Sequence, residues 1–367
     1  MSNSSLFFLG GSMKTKKKPK PLLIILIIAF LLIAIGGSIM FLVGPVNAFD
    51  KKDIEVTIKS GTSTNKIIEI LKDKGLIRSK SVFKLYLKLK NVKSLKAATY
   101  KLNKSMSVED IIKELEKGSD YNPNLVVLTF KEGKRITDYA KLVGDKTNNT
   151  YDDFINTVND KEYVKELINK YWFLTDKVLD TDIYYSLEGY LAPETYHFEN
   201  KDVTVKEIIE TMLKQEEKTL EKYKDKISSD PHYYITMASI VELEGTNLEN
   251  RKMIVGIFEN RLKSRMNLGS DVTTYYGLQV AMTSDLTSEE FNSNNAYNTR
   301  SPYMIGKMPI GPICSSGEYS IDATVNKTEN DYLYFVADKN GKVYYTKTLA
   351  EHNQKIAEIK KNGNWIW

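Results

Sequence analysis

One glutamate of this sequence has a setting that suits acid–base chemistry. Glu242 lies near the end of residues 231–244, a segment that is apolar on nearly every face and is therefore predicted to be a buried helix. Burial removes solvation from a carboxylate, and the C-terminal end of a helix also disfavours negative charge, so the neutral acid is expected to be favoured. A carboxylic acid that keeps its proton near neutral pH can donate it to a leaving oxygen.

The same glutamate also fits a structural role. In that interpretation Glu242 caps its helix or forms an ion pair, for which Arg251 is the nearest candidate cation in sequence. Glu244 lies two positions further on, about 200° around the helix, and is expected to face away from Glu242. The two glutamates are therefore not expected to form a paired-carboxylate site by themselves.

The composition argues against metal, cofactor and nucleic-acid chemistry. Cys314 is the one cysteine, so no disulfide forms within the chain, and the histidines His197, His232 and His352 lack the spacing of metal ligands. We therefore predict no metal and no cofactor. Residues 1–20 contain five lysines and no acid, and the rest of the chain is balanced at 47 basic and 47 acidic residues. A nucleic-acid partner would need a basic face, which this balance does not favour.

An uncharged apolar run at residues 21–43 predicts a transmembrane helix. At about 1.5 Å per residue it is about 34 Å long, enough for a hydrocarbon core of about 30 Å. Because the lysines of residues 1–20 precede it, the positive-inside rule predicts a cytoplasmic N-terminus and an extracytoplasmic segment 44–367. A cleaved signal peptide is the competing interpretation, but the run is longer than a usual signal-peptide core.

A strand, a polar turn and an amphipathic helix recur in residues 54–71, 98–115 and 126–143. Pairs of such units resemble the LysM fold, a small module that grips N-acetylated glycans, although an ordinary α+β spacer fits the same pattern. Residues 144–230 are charged and helical, with one interruption at 187–196. Its Gly, Pro, Glu and Tyr residues predict a surface loop.

Short motifs in a fixed order connect this sequence to a known family. They include Glu188-Gly189-Tyr190, Pro193-Glu194-Thr195-Tyr196, Ala238-Ser239-Ile240-Val241-Glu242, Asn260-Arg261-Leu262, Met266-Asn267-Leu268, Asp271-Val272-Thr273, Tyr276-Gly277, Tyr297-Asn298-Thr299, Met308-Pro309-Ile310-Gly311-Pro312-Ile313, Tyr334-Phe335-Val336-Ala337-Asp338 and Thr348-Leu349-Ala350-Glu351-His352-Asn353. Over about residues 50–355, this pattern resembles the MltG (YceG-like) family of endolytic murein transglycosylases.

The resemblance implies a reaction and a set of site residues. Glu242 aligns with the catalytic glutamate of the family, which implies cleavage of the MurNAc–GlcNAc β-1,4 bond within nascent peptidoglycan. The MurNAc 6-hydroxyl would attack its own C1 and leave a 1,6-anhydro end, with no water consumed. The groove residues that the resemblance implies are Glu188, Tyr190, Asp271, Tyr297, Asn298 and Thr299. For Asn298 and Thr299, turn chemistry is an open alternative.

Two segments depart from the family pattern. Cys314-Ser315-Ser316-Gly317 stands where an Asn-Pro-Gly turn is expected, and residues 300–307 have an altered Tyr/Gly pattern. These departures concern the rim of the site and its substrate preference.

The predicted protein is an α+β, single-pass cell-membrane protein. Its predicted domains are a cytoplasmic basic tail at 1–20, a transmembrane helix at 21–43, a linker at 44–52, a LysM-like domain at 53–120 and a transglycosylase domain at 121–367. Its expected partners are peptidoglycan strands, the membrane and peptidoglycan synthases. Two alternatives stay open at this point. One is a non-catalytic peptidoglycan-binding scaffold, and the other is a hydrolase that uses Glu242 with Asp271 or Glu188.

Overall fold

The computed structural model describes residues 21–59, 61–92 and 94–365. The basic tail predicted at residues 1–20 lies outside the described residues. The chain divides into two compact units, one reaching to Pro123 and the other beginning at Asn124. The architecture is a mixture of helices and short strands, as the sequence predicted.

Helix α1 spans Pro21–Val43, the bounds predicted for the membrane segment. Within the described residues, Ile25–Val43 is the one stretch long and apolar enough to cross a membrane, judged by length and composition. Arg78 closes the end of this helix. Its guanidinium donates to the carbonyl oxygen of Phe41 at 2.9 Å and to that of Gly44, the residue after the helix, at 3.0 Å. Carbonyl groups at the end of a helix have no partner within the helix.

The first unit continues with β1 (Ile54–Ile58), α2 (Thr64–Asp73), α3 (Lys80–Leu89), β2 (Ala98–Leu102) and α4 (Val108–Lys117). The strand–helix units predicted at residues 54–71 and 98–115 are present as β1–α2 and β2–α4, with α3 between them. Strands β1 and β2 pair in an antiparallel ladder. Serine side chains cap α2 and α4. Ser63 accepts from the backbone N–H of Lys66, and Ser107 accepts from that of Asp110.

The second unit is mainly helical. Its strands are β3 (Val126–Thr129), β4 (Thr195–Phe198), β5 (Tyr334–Ala337) and β6 (Val343–Thr346). Its helices are α5 (Ile136–Lys146), α6 (Tyr151–Val158), α7 (Lys161–Lys170), α8 (Val205–Leu220), α9 (Lys224–Ile227), α10 (Pro231–Glu244), α11 (Leu248–Lys263), α12 (Asp271–Gly277), α13 (Ser288–Phe291), α14 (Glu318–Val325) and α15 (Leu349–Lys361). Three 3-10 turns lie at Asp176–Leu179, Glu221–Tyr223 and Pro302–Met304. Strand β3 pairs antiparallel with β4, and β5 pairs antiparallel with β6.

Helix α10 is the buried helix that the sequence predicted. Asp230 caps it by accepting from the backbone N–H of Tyr233, Pro231 occupies its first turn and Gly245 follows its last residue. It packs against α11 and α14. Asn247 caps α11, accepting from the backbone N–H of Asn250 at 2.9 Å.

The loop predicted to lie at the surface is partly buried, so that prediction is wrong for residues 187–192. Gly189 has φ +80° there, and a Cβ built on it would lie 2.2 Å from the Cβ of Pro312. The side chains of Glu188 and Tyr190 point into the core on either side of this glycine. The loop is therefore packed between neighbouring segments, and only its later residues Glu194 and Thr195 are exposed.

Candidate active site

A cleft of about 950 Å³ opens beside the C-terminal end of α10. Its lining combines carboxyl groups, guanidinium groups and aromatic rings. The lining residues with such groups are Glu244, Arg261, Arg265, Asp271, Tyr275, Arg300, Tyr334, Phe335 and His352. A concave site with a few converging polar groups and aromatic faces suits a polar ligand that contains rings.

Glu244 brings a carboxyl group to this cleft from the last residue of α10. Its Oε1 accepts a hydrogen bond of 2.5 Å from the Ser270 hydroxyl. Burial raises the pKa of Glu244 above its usual value, and the negative charge of Asp271 adds to that effect. The Ser270 hydrogen bond and the charge of Arg261 act in the opposite direction without cancelling the rise. A carboxyl group in this state is suited to donate a proton inside the cleft.

Buried threonine hydroxyl groups hold Ser270 in place. Its backbone N–H donates to the hydroxyl of Thr299 at 3.0 Å, and that hydroxyl lies 2.8 Å from the hydroxyl of Thr273. Thr273 and Thr299 are fully buried. The chain of contacts from Thr299 through Ser270 to Glu244 therefore fixes the direction in which the Glu244 carboxyl points.

Glu242 occupies a different environment from Glu244. Its Oε1 accepts from Arg251 at 2.9 Å, and its Oε2 accepts from the Gly317 N–H at 3.1 Å and the Ser320 hydroxyl at 2.8 Å. Its side chain is 6% exposed, and it is not among the residues that line the cleft. The ion pair with Arg251, one of the two interpretations open from the sequence, is thus present. A catalytic role for Glu242 stays a prediction.

Asp271 is the predicted groove residue that lines the cleft. It is the first residue of α12, its side chain is about half exposed, and it forms an ion pair with Arg300. Asp271 and Glu244 therefore belong to one cavity, whereas Asp271 and Glu242 do not.

Three other predicted groove residues are buried in the core. Glu188 is 1% exposed and accepts from the backbone N–H of Ile136 at 3.0 Å and from the hydroxyl of Tyr276 at 3.1 Å. Burial raises the pKa of Glu188 to about 8. The Tyr190 hydroxyl lies 2.7 Å from Nδ1 of His232, and the ring of Tyr297 packs 4.7 Å from that of Tyr276. These side chains belong to the core, and their contact with a ligand stays a prediction.

Asn298 and Thr299 are also fully buried. The Asn298 side chain accepts from the Thr274 hydroxyl at 2.7 Å and from the Arg300 N–H at 3.1 Å. These bonds match the turn chemistry that the sequence left open as an alternative. Thr299 contributes to the site through Ser270, as described above, rather than by exposing its own hydroxyl.

Glu244, Arg261 and His352 line the cleft, and Ser270 donates to Glu244. The sequence interpretation assigned none of these four residues a role at the site. The prediction that Glu244 faces away from Glu242 agrees with their separate hydrogen-bond partners. Asp271 lines the same cleft as Glu244. A usable signal was present in the sequence. Asp271 and Thr299 were already predicted site residues, and both lie on the Glu244 side of α10.

Sequence comparison relates this chain to known proteins. The sequence profile of the YceG-like family matches residues 56–358. The endolytic murein transglycosylase of Bacillus subtilis strain 168 is 33% identical over 329 residues, covering 88% of this chain and 90% of that protein. The endolytic murein transglycosylase of Streptococcus pneumoniae strain D39 is 35% identical over 333 residues. That match covers 86% of this chain and 60% of the pneumococcal protein, so this chain spans only part of its length.

The fold is similar to that of a solved structure as well. The crystal structure of a YceG-like protein from Listeria monocytogenes has a TM-score of 0.59 and 36% sequence identity to this chain. The alignment covers 83% of this chain and 99% of the Listeria chain. On the match of the family profile and the extent of these identities, the chain belongs to the YceG-like family.

Proposed function

We propose that this chain is an endolytic peptidoglycan lytic transglycosylase of cell-wall synthesis. In this proposal it cleaves the MurNAc–GlcNAc β-1,4 bond inside nascent glycan strands and leaves 1,6-anhydro-MurNAc ends. Its membership of the YceG-like family and the names of its Bacillus and Streptococcus relatives support this activity. The observation that carries the proposal is the Glu244 carboxyl group, which lines the cleft and has a raised pKa.

The proposed reaction needs one acid–base group. Glu244 in its acid form donates a proton to the glycosidic oxygen while the bond from that oxygen to C1 of MurNAc breaks, which leaves a GlcNAc hydroxyl. The 6-hydroxyl oxygen of the same MurNAc bonds to C1, and its proton passes to the Glu244 carboxylate. The acid is thereby restored, and no water is consumed. A single carboxyl suffices here, whereas most glycoside hydrolases use two.

Glu244 fits this role better than Glu242 does. Both oxygens of Glu242 already accept hydrogen bonds, from Arg251 on one side and from Gly317 and Ser320 on the other. To act as the acid, Glu242 would have to break its contact with Arg251. Among the described residues, Glu244 accepts from one neutral donor, the Ser270 hydroxyl, and it lines the cleft.

The first unit supports a location at the membrane and on the glycan. Helix α1 has the length and composition of a membrane span, and we propose that it anchors the chain with residues 44–367 outside the cell. The strand–helix–helix–strand arrangement of β1, α2, α3 and β2 is consistent with a LysM-like glycan-binding module. Both assignments belong to the proposal.

Mass spectrometry of the digestion products tests the proposed reaction. Purified glycan strands are incubated with the full chain in detergent micelles, and the new ends are identified by mass. Anhydro ends are lighter by one water than the reducing ends that hydrolysis gives. The proposal expects anhydro ends with the wild-type chain and none above background with Glu244→Gln.

Two outcomes would replace the proposal. New reducing MurNAc ends would indicate a hydrolase, for which Asp271 offers a second carboxyl in the same cleft. Sedimentation of the protein with peptidoglycan without any new ends would indicate a non-catalytic scaffold.

A further inference from the structure

A second, smaller cavity of about 190 Å³ lies on another side of the second unit. It is bounded by the loop that precedes β4, by α8 and by the N-terminal end of α14. Four glutamates line this cavity, and it is called the acidic pocket here. They are Glu132, Glu194, Glu216 and Glu318. The acidic pocket shares no lining residue with the cleft beside Glu244 and is separate from it. It adjoins Glu242 instead, because the backbone N–H of Gly317, one of its lining residues, donates to the Glu242 carboxyl at 3.1 Å.

Glu216 is the buried member of the acidic pocket. It is 3% exposed, and its burial alone raises its pKa to about 8. Among the described residues, Glu216 has no hydrogen-bond donor and no cation to pair with. A buried polar group without a partner costs free energy, so a carboxyl in this state needs a reason to be there. A positively charged group in the cavity would supply the missing partner and favour the ionised form.

The charges around Glu216 point to a cation as the ligand. Lys222 pairs with Glu318 at 2.7 Å, so these two side chains neutralise each other. Lys218 lies at the rim and is exposed, and it forms no ion pair within the part of the chain that the structure describes. Glu132, Glu194 and Glu216 thus outnumber the one remaining lysine of the lining.

The other walls of the acidic pocket favour an organic cation over a metal ion. Ala192, Pro193 and Ile321 contribute apolar surface next to the carboxyl groups. Within residues 21–59, 61–92 and 94–365, no three His, Cys, Asp or Glu side chains are grouped so as to hold a metal ion. An alkyl chain that ends in an ammonium group matches both kinds of wall, because its methylenes contact apolar surface and its charge meets carboxylates.

We infer that the acidic pocket binds a primary alkylammonium group, and that this group is a side-chain amine of a peptidoglycan stem peptide. The second half of this inference rests on the proposed function, because only a peptidoglycan substrate would bring such a peptide to the protein. The acidic pocket then acts as a specificity site that recognises the peptide, while the cleft beside Glu244 holds the glycan.

Calorimetric titration of the full chain in detergent micelles tests the site. The probe is Nα-acetyl-lysine methylamide, and the comparison probe is the same compound acetylated at its side-chain nitrogen. We expect the charged probe to bind at least about tenfold more tightly than the acetylated one. Glu216→Gln and, separately, Glu132→Gln are expected to weaken binding of the charged probe by about tenfold or more. Glu132 is exposed, so its substitution leaves the core intact.

Glu217→Gln is the matched control, because Glu217 is the next residue of α8 and does not line the acidic pocket. It should bind the charged probe like the wild-type chain. Equal binding of the two probes, or unchanged binding in both Glu216→Gln and Glu132→Gln, would overturn the site.

A digestion experiment tests the source of the amine. Peptidoglycan strands with native peptides and strands with acetylated side-chain amines are compared as substrates. We expect acetylation to raise KM by about tenfold with little change in kcat, since the pocket binds the peptide and takes no part in the chemistry. Equal KM values for the two substrates would overturn the peptide as the source. Failure of the wild-type chain to cleave either substrate would instead overturn the proposed function. The titration would still show whether the acidic pocket binds an alkylammonium group.

Discussion

The carboxyl groups of Glu242 and Glu244, two residues apart on α10, contact different neighbours. Glu242 is tied to Arg251 of α11 and to the start of α14, whereas Glu244 accepts from Ser270 and lines the cleft. The first carboxyl fastens three helices together, and the second is available to a ligand. The two glutamates are therefore expected to respond differently to the same substitution.

The proposed acid can be identified by comparing Glu244→Gln with Glu242→Gln. Glutamine keeps the size of glutamic acid but cannot transfer a proton, so Glu244→Gln is expected to lower kcat for anhydro-end formation by about 10²–10⁴. Glu242→Gln is expected to lower the midpoint of unfolding while the folded enzyme keeps most of its rate. The rates are measured by mass spectrometry, well below the unfolding transition of each variant. An inactive but stable Glu242→Gln beside an active Glu244→Gln would return the acid role to Glu242.

Removal of Arg251 is expected to destabilise the second unit strongly. Its side chain is 13% exposed, and besides the Glu242 carboxylate it donates to the backbone carbonyl of Gly245 at 3.2 Å. Arg251→Met leaves a buried carboxylate without its cation, which costs about 3–5 kcal/mol. Urea unfolding measures this loss. Lys165→Met breaks the exposed ion pair with Glu162 and should change the free energy of unfolding far less, because solvent screens that pair. Similar losses in the two variants would contradict a special role for the Arg251 contact.

A comparison of Gly189→Ala with Gly341→Ala distinguishes the cost of backbone strain from the cost of steric overlap. Both have positive φ, +80° and +76°, but a Cβ on Gly189 would lie 2.2 Å from Pro312, whereas Gly341 has nothing within 4 Å. Gly341→Ala is expected to cost about 1–2 kcal/mol, the cost of a left-handed alanine. Gly189→Ala carries that cost and about 1–3 kcal/mol more, because Pro312 must move. The free energies of unfolding of the two variants give the comparison. Equal losses of unfolding free energy in the two variants would show that Pro312 can move aside at no measurable cost.

The parts of the fold that follow from local pattern were predictable from the sequence. The bounds of α1 and the buried character of α10 depend on residues close together in the chain. Helix periodicity and capping chemistry act at that range. These elements therefore appear where the sequence predicted them.

The burial of residues 187–192 and the position of Glu244 at the cleft depend on contacts between residues far apart in the sequence. Glu188 is buried because Ile136 and Tyr276, far from it in sequence, donate to its carboxyl group. The face of α10 that meets a cleft is set by Ser270 and by the segments that surround it. Periodicity predicted that the two glutamates face apart, but it could not predict which of the two faces is open.

Glu216 should make the stability of the protein depend on pH. Its pKa is raised from 4.5 to about 8 in the folded state, so folding is most favourable below pH 4.5 and loses this contribution as pH rises through about 8. Glu216→Gln stays neutral at every pH and lacks this loss. Its free energy of unfolding relative to the wild-type chain should therefore increase between about pH 5 and pH 9, by on the order of 2–4 kcal/mol.

Urea unfolding at several pH values measures the difference, in which the titration of Glu188 and Glu244 cancels because both proteins contain them. Glu217→Gln provides the control and should show a pH dependence like that of the wild-type chain. A difference between Glu216→Gln and the wild-type chain that does not change with pH would mean that Glu216 already has a cationic partner in the folded protein.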